Sequence, residues 1–266
     1  MVKIFRKVIS LSLALALILS LTSCGNDFSK AQKRAEKTLD KNAYTVEVDF
    51  DFECADKEAE GIFEQLEAAE TKVYFKDGKI KYEDCISIDY GEGKNTFRTA
   101  RTVADGVLYS AMSYTIANDT EKTTKSKAFV TDEQTASMLN RITFIGGLSG
   151  ADFGEATRGK HNGESYIVYS APCDSAKVIL EESMAKQLEG ASGGVELTSA
   201  TLRIETEGGK YDTVTAECVY SVTIQGKAYT VNAKIELEFD FDESFDISVP
   251  ADADEYAVTT PENIIG

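Results

Sequence analysis

The stretch VTAECVYSVTIQGKAYTVNAKIELEFDF, Val214–Phe241, decides the fold. In its first half Val214, Ala216, Cys218, Tyr220, Val222 and Ile224 take every second place. After Gln225-Gly226 the alternation resumes with Tyr229, Val231, Ala233, Ile235, Leu237, Phe239 and Phe241, set against Thr230, Asn232, Lys234, Glu236, Glu238 and Asp240. A period of two with polar intervening residues is the signature of a strand with one buried and one wet face. Together with residues 195–206 the pattern predicts three consecutive long strands, at 195–206, 211–224 and 228–241, turning at Gly208-Gly209 and Gln225-Gly226. Strands of 12 to 14 residues exceed the usual five or six. Antiparallel strands of that length with one apolar face coil, and must curve around something that covers them.

Toward the N-terminus the same period returns. Tyr44, Val46, Val48, Phe50 and Phe52 alternate with Thr45, Glu47, Asp49, Asp51 and Glu53. Residues 55–70, with Ile62, Phe63, Leu66 and Ala69 at helical spacing, read as a short helical excursion. Two hairpins follow: 71–76 with 79–90 across Asp77-Gly78, and 95–104 with 107–115 across Asp105-Gly106. Asp-Gly between apolar runs is a strong hairpin signal, because both turn residues must accept positive φ. Residues 116–127 are polar and read as a loop. Thr131-x-x-Gln134 forms a capping box ahead of Met138, Leu139, Ile142 and Ile145, so a helix is expected there, ending at Gly146-Gly147. Six glycines between 146 and 163 suggest a long loop. A strand at 164–171 stops at Pro172, and Leu180, Met184 and Leu188 mark a second helix over about 174–189. The expected domain ends at Ile247-Ser248-Val249-Pro250, with 251–266 a loosely attached acidic tail.

The first 24 residues have a different character. Lys3, Arg6 and Lys7 precede an apolar run from Val8 to Leu21, and Leu21-Thr22-Ser23-Cys24 follows. This is the form of a secretory signal. Its run of 14 residues falls short of the roughly 20 that a membrane span needs. Leu-Thr-Ser-Cys is similar to the lipobox of bacterial lipoproteins. The resemblance implies cleavage after 1–23, acylation of Cys24 and attachment to the membrane through that lipid on the extracytoplasmic side. Residues 24–43 then form a tether, helical in its spacing and carrying Lys30, Lys33, Arg34, Lys37 and Lys41. Such a basic segment beside an anchor can attract anionic lipid, or can simply be a solvated helix face.

Without residues 1–23 the chain has 25 basic and 45 acidic residues, a formal charge of −20. Such a surface repels nucleic acid, which is excluded as a partner. Four further cysteines, Cys54, Cys85, Cys173 and Cys218, are spaced by 31, 88 and 45 residues and match no metal or redox motif. Two disulfides and free buried thiols are both compatible with these spacings. The one histidine, His161, lies among glycines with no base–nucleophile pattern around it. Cys173 before Asp174 is better read as inert or disulfide-bonded than as a nucleophile. The acidic run Glu238-x-Asp240-x-Asp242-Glu243-x-x-Asp246 lacks the frame of a calcium loop, and its first members are the wet positions of a strand. No pattern calls for a metal or cofactor, and the chain does not read as an enzyme.

The expected fold is mainly β with α+β character: a curved antiparallel sheet or unclosed β-barrel of about ten strands, with two or three helices on its concave side. The ladder Leu202 to Phe241 and the closing Ile247-Ser248-Val249-Pro250 resemble the LolA/LppX-like lipoproteins over roughly residues 40–250. That resemblance implies a single domain at 44–250 with an apolar cavity between sheet and helices, and a lipid or other hydrophobic ligand. Its expected lining is Met138, Ile142, Met184, Leu188, Val222 and Ile235, with the stretch 146–163 as a lid. Methionines suit varied apolar partners. The same residues equally suit a solid core, in which case the protein is an envelope interaction or sensor protein.

Overall fold

The computed structural model describes residues 43–265, apart from 136–155 other than Met138, and apart from 68, 90–93, 117–118, 162–163, 170–173, 189–191, 208–209 and 242–243. Its strands form one curved sheet that does not close into a barrel. The first half of the chain supplies β1 (Tyr44–Cys54), β2 (Ala69–Lys76), β3 (Lys79–Asp89), β4 (Lys94–Ala104), β5 (Val107–Thr115) and β6 (Lys122–Phe129). The second supplies β7 (Ala156–His161), β8 (Glu164–Tyr169), β9 (Ser192–Glu207), β10 (Lys210–Ile224), β11 (Lys227–Asp240) and the short β12 (Ala257–Val258). The order across the sheet is β12-β6-β5-β4-β3-β2-β1-β11-β10-β9-β8-β7. Two meanders are therefore joined by pairing the first strand to one of the last, with Phe50 opposite Ile235 and Val48 opposite Leu237.

The period-2 pattern places the core. Val46, Val48, Phe50 and Phe52 of β1, Ala216, Cys218, Tyr220 and Val222 of β10, and Val231, Ala233, Ile235 and Leu237 of β11 are all buried on one face. Helix α1 (Lys57–Glu67) covers β1 through Ala59 and Phe63, with the Phe63 ring 5.7 Å from that of Phe52. Helix α2 (Asp174–Gln187) packs on β9 through Leu180 and Met184, and the Tyr220 hydroxyl donates to the Leu180 carbonyl at 3.1 Å. Each helix also lends a glutamate to a strand. Glu67 accepts from the Phe52 amide at 2.6 Å, beyond the point where β2 stops pairing with β1. Glu181 accepts from the Leu197 amide at 2.7 Å, beyond the end of the β8–β9 ladder. Both satisfy a ladder donor that a neighbouring strand would otherwise take.

Asp77-Gly78, Asp105-Gly106 and Gln225-Gly226 all have positive φ at both residues, between 52° and 82°. All three are two-residue turns at places where the sequence predicted them. The capping box also forms: the Gln134 amide donates to Thr131 Oγ1 at 3.1 Å, and the Thr131 amide to Gln134 Oε1 at 3.0 Å.

Three expectations are corrected. The polar stretch 116–127 was expected as a loop, yet Lys122–Phe129 is a strand paired with β5 along its length. It lies near a sheet edge and is exposed at Lys122, Thr123 and Thr124, so it shows none of the apolar alternation that reveals a half-buried strand. Within the expected glycine-rich loop, Ala156–His161 forms β7 against β8, His161 facing Glu164. The third concerns the C-terminus. Residues 251–266 were expected to hang loosely, but Lys125 of β6 bonds Asp252 at 2.5 Å and Glu255 at 2.6 Å. Tyr256 packs edge-on against Tyr109 at 5.5 Å, β12 pairs parallel with β6, and Ile264 of α3 (Glu262–Ile265) reaches the core. Helices were expected after the fifth and sixth strands. The helix read at 55–70 does follow β1, and the extra strands shift the other two, so that the capped turn follows β6 and α2 follows β8.

Candidate functional site

The concave side is not uniform, and the β2–β6 half carries a graded surface. Strand register sets it out in four cross-strand rows on the core-facing side. The innermost row, Phe75, Ile80, Val103, Leu108 and Ala128, is buried and apolar. Next come Val73, Tyr82, Arg101, Ser110 and Ser126, then Thr71, Asp84, Thr99, Met112 and Thr124. The outermost row holds Ala69, Ile86, Phe97, Tyr114 and Lys122. Three large apolar or aromatic side chains of the two outer rows are exposed: Phe97 at 45%, Met112 at 54% and Tyr114 at 37%. Along this face, then, a buried apolar floor gives way to a sunken polar band and then to an open apolar lip.

The polar band is electrostatically tense. Thr71 Oγ1 donates to Asp84 Oδ1 at 3.1 Å, and Arg101 lies over the Tyr82 ring at 6.0 Å. Burial pushes the Asp84 carboxyl above its ordinary range, only partly offset by the Thr71 hydroxyl and the Arg101 charge. Burial likewise pulls the Arg101 guanidinium down and drives the Tyr82 phenol up. Arg101 Nε is shut off from solvent and has no hydrogen-bond partner among the described residues. A donor left unmade in this way costs on the order of 1–3 kcal/mol, more when the group is charged.

The outer side of the same strands carries a cleft of about 580 Å³. Ala100 and Ala111 line it together with Lys72, Tyr74, Glu83 and Arg98. Both of its basic side chains are paired, Lys72 bonding Glu47 at 2.8 Å and Arg98 reaching Glu121 at 3.8 Å. Cys85 opposes Arg98 across the ladder and, with Cys54 and Cys218, is a free thiol. No disulfide therefore joins two of the described cysteines. Cys218 sits in the core, where burial pushes its thiol up to about 12. Cys173 lies outside the described residues.

Of the six residues expected to line a cavity, Met138, Met184, Leu188, Val222 and Ile235 come together in one core cluster, each 3% exposed or less. Ile142, the segment 146–155 and the lipid-attachment residue Cys24 with its tether lie outside the described residues. His161 is in β7 at the sheet edge, in a different part of the sheet from Arg101. Among the described residues no group of three or more His, Cys, Asp or Glu side chains is placed to hold a metal ion. The Tyr82–Asp84–Arg101 band was missed because its side chains come from two strands and adjoin only through register. The signal available was the pair of charges at apolar-phase positions: Asp84 between Tyr82 and Ile86, and Arg101 in phase with Val103.

No known family model matches the chain, and no curated protein matches it. Among solved structures, an N-terminal dehydratase from the difficidin assembly line shares 7% identity, with 79% of this chain and 81% of that one covered and a TM-score of 0.19. A candidate AttH of Nitrosomonas europaea shares 8% identity, with 86% of this chain and 59% of that one covered and a TM-score of 0.18. Superposition this poor carries no argument about fold or activity.

Proposed function

We propose that this chain is a lipid-anchored extracytoplasmic binding protein, not an enzyme, and that it holds a hydrophobic or amphipathic ligand on the core-facing side of β3–β5. The anchor rests on Cys24 and the signal that precedes it. The observation that carries the binding role is the graded face, on which a sunken polar band borders the exposed Phe97, Met112 and Tyr114. Exposed large apolar side chains that cluster on a protein surface commonly mark a contact or ligand site. This moves the ligand away from the helix-covered half, where Met184, Leu188, Val222 and Ile235 pack closely.

That close packing favours a second reading, an envelope interaction protein with a solid core and a protein partner at the same lip. Native mass spectrometry of the purified chain separates the two. A binding protein retains an apolar small-molecule mass that Met112→Asp releases, and Met112 is exposed enough for that change to leave folding intact. Recovery free of any such mass, with no saturable uptake of an added apolar probe, refutes the ligand reading. The anchor is tested separately: Cys24→Ala should abolish lipidation and membrane retention. Membrane fractionation equal to that of wild type would disprove it.

A further inference from the structure

We propose that the ligand is a single-charge anionic amphiphile of the fatty-acid class, its carboxylate held by Arg101 and its chain lying along Met112, Phe97 and Tyr114. This rests on the preceding reading of the graded face and specifies the head group that the face selects.

Arg101 enters the face from the middle of β4, opposite Tyr82 on one side and Ser110 on the other. Its Nε is buried and meets no acceptor among the described residues. Asp84 supplies the nearby negative charge, but it is already engaged by Thr71 Oγ1 at 3.1 Å and by the Tyr82 side chain. The guanidinium is thus balanced in charge from one side and left without a hydrogen-bond acceptor at Nε. A carboxylate meets a guanidinium edge with two parallel bonds, and is the planar acceptor that such a fork fits best. A second negative charge would lie close to Asp84 with only one cation between them, so a doubly charged phosphate head is disfavoured.

Next to this head site the register continues with apolar surface. Thr99 separates Arg101 from Phe97 along β4, and Met112 and Tyr114 stand opposite Thr99 and Phe97 on β5. A chain leaving the head site toward this lip covers side chains that are otherwise between 37% and 54% exposed. An uncharged apolar ligand would cover the lip but leave the Arg101 donor unmade. Head and tail surfaces thus sit in one line along two adjacent strands.

The test is calorimetric titration of the purified full chain with laurate, dodecanol and dodecyl phosphate. Laurate should bind saturably and at least about tenfold tighter than dodecanol, the lower end of what a hydrogen bond to a charged group contributes, and tighter than the phosphate. Arg101→Met should remove the preference for laurate over dodecanol, and Arg101→Lys should restore part of it. Met112→Ser should weaken laurate and dodecanol alike, since it removes apolar surface under the chain and adds no charge near the head. Equal binding of laurate and dodecanol by the wild type overturns the head-group assignment while the binding reading stands. A laurate preference that survives in folded Arg101→Met overturns the role of Arg101. Failure of all three probes to bind overturns the graded face as a ligand site altogether.

Discussion

At the scale of single residues, the two faces of β11 give the sharpest contrast. Ile235 is 1% exposed and sits between Phe50 and Ala216, so Ile235→Asp buries an unpaired charge. That change should cost several kcal/mol, among the largest single-site losses expected. Its neighbour Lys234 is exposed, bonded to Glu236 at 2.8 Å, and lies in register between Asp51 and Glu217. Lys234→Asp should cost far less, and its loss should shrink in high salt because the repulsion is screened at the surface. Thermal melts of both variants at low and high salt check the register. Equal losses, or a salt-insensitive Lys234→Asp, would mean that the faces are misassigned. Glu181 offers a second residue-level test. Glu181→Ala strips the acceptor from the Leu197 amide, a change expected to cost about 1–3 kcal/mol, readable as a lower denaturation midpoint at unchanged m-value.

At the scale of elements, turns and edges separate what is local from what is not. Gly106 and Gly226 hold φ of 77° and 82°, and a Cβ added at either meets nothing within 4 Å. Gly106→Ala and Gly226→Ala should therefore cost only the conformational term of about 1–2 kcal/mol, with no packing loss. An effect several times larger in equilibrium unfolding would show that these turns bear tertiary contacts. The edge strand β6 is stabilised differently. Lys125 grips Asp252 and Glu255, and hydrogen bonding to Lys125 holds the Asp252 carboxyl below its ordinary range. Because the folded value is depressed, this contribution is present above the unfolded carboxylate pKa and is lost as pH falls through the folded one. Protection of the amides around β12, corrected for the intrinsic pH dependence of exchange, should thus be lower in acid than at neutral pH, and Lys125→Met should lower it at neutral pH as well. Exchange at 257–259 that is unchanged in Lys125→Met would show that the clasp does not hold the segment.

For the molecule as a whole, the dominant electrostatic feature is the acidic outer face. Glu47 opposes Glu238 and Asp49 opposes Glu236 across the β1–β11 ladder. Like charges so placed destabilise a sheet by on the order of 0.2–1 kcal/mol per pair. Desolvation comes first in raising the Asp49 and Glu238 carboxyls, followed by repulsion from their acidic neighbours. With folded values raised, these groups favour the native state below the unfolded carboxylate pKa and penalise it as pH climbs through the folded values. Glu238→Gln should raise the Tm at neutral pH and have little effect in acid, where the wild-type carboxyl is already protonated. A Tm gain of the same size at both pH values would remove repulsion as its cause.

The long ladder 195–241, the first strand and its register face, the two Asp-Gly hairpins, the capping box and the Leu180–Met184–Leu188 stripe were all legible in the sequence. Each is written in a repeating pattern or a turn whose physics is local. So was the mainly β, unclosed character of the fold, because apolar strands that long have to curve and be covered. The edge strands β6, β7 and β12 were not legible. An edge strand near solvent has no need of alternation, and its hydrogen bonds depend on which neighbour comes beside it. For β7 and β8 one local cue existed, the Asn162-Gly163 dipeptide between 156–161 and 164–169. The clasp of Lys125 on Asp252 and Glu255 joins residues more than 120 positions apart, and no local pattern encodes that. The same holds for the graded face. Tyr82, Asp84, Arg101, Phe97 and Met112 are separately unremarkable in the chain, and only cross-strand register sets their charge and apolar surface side by side.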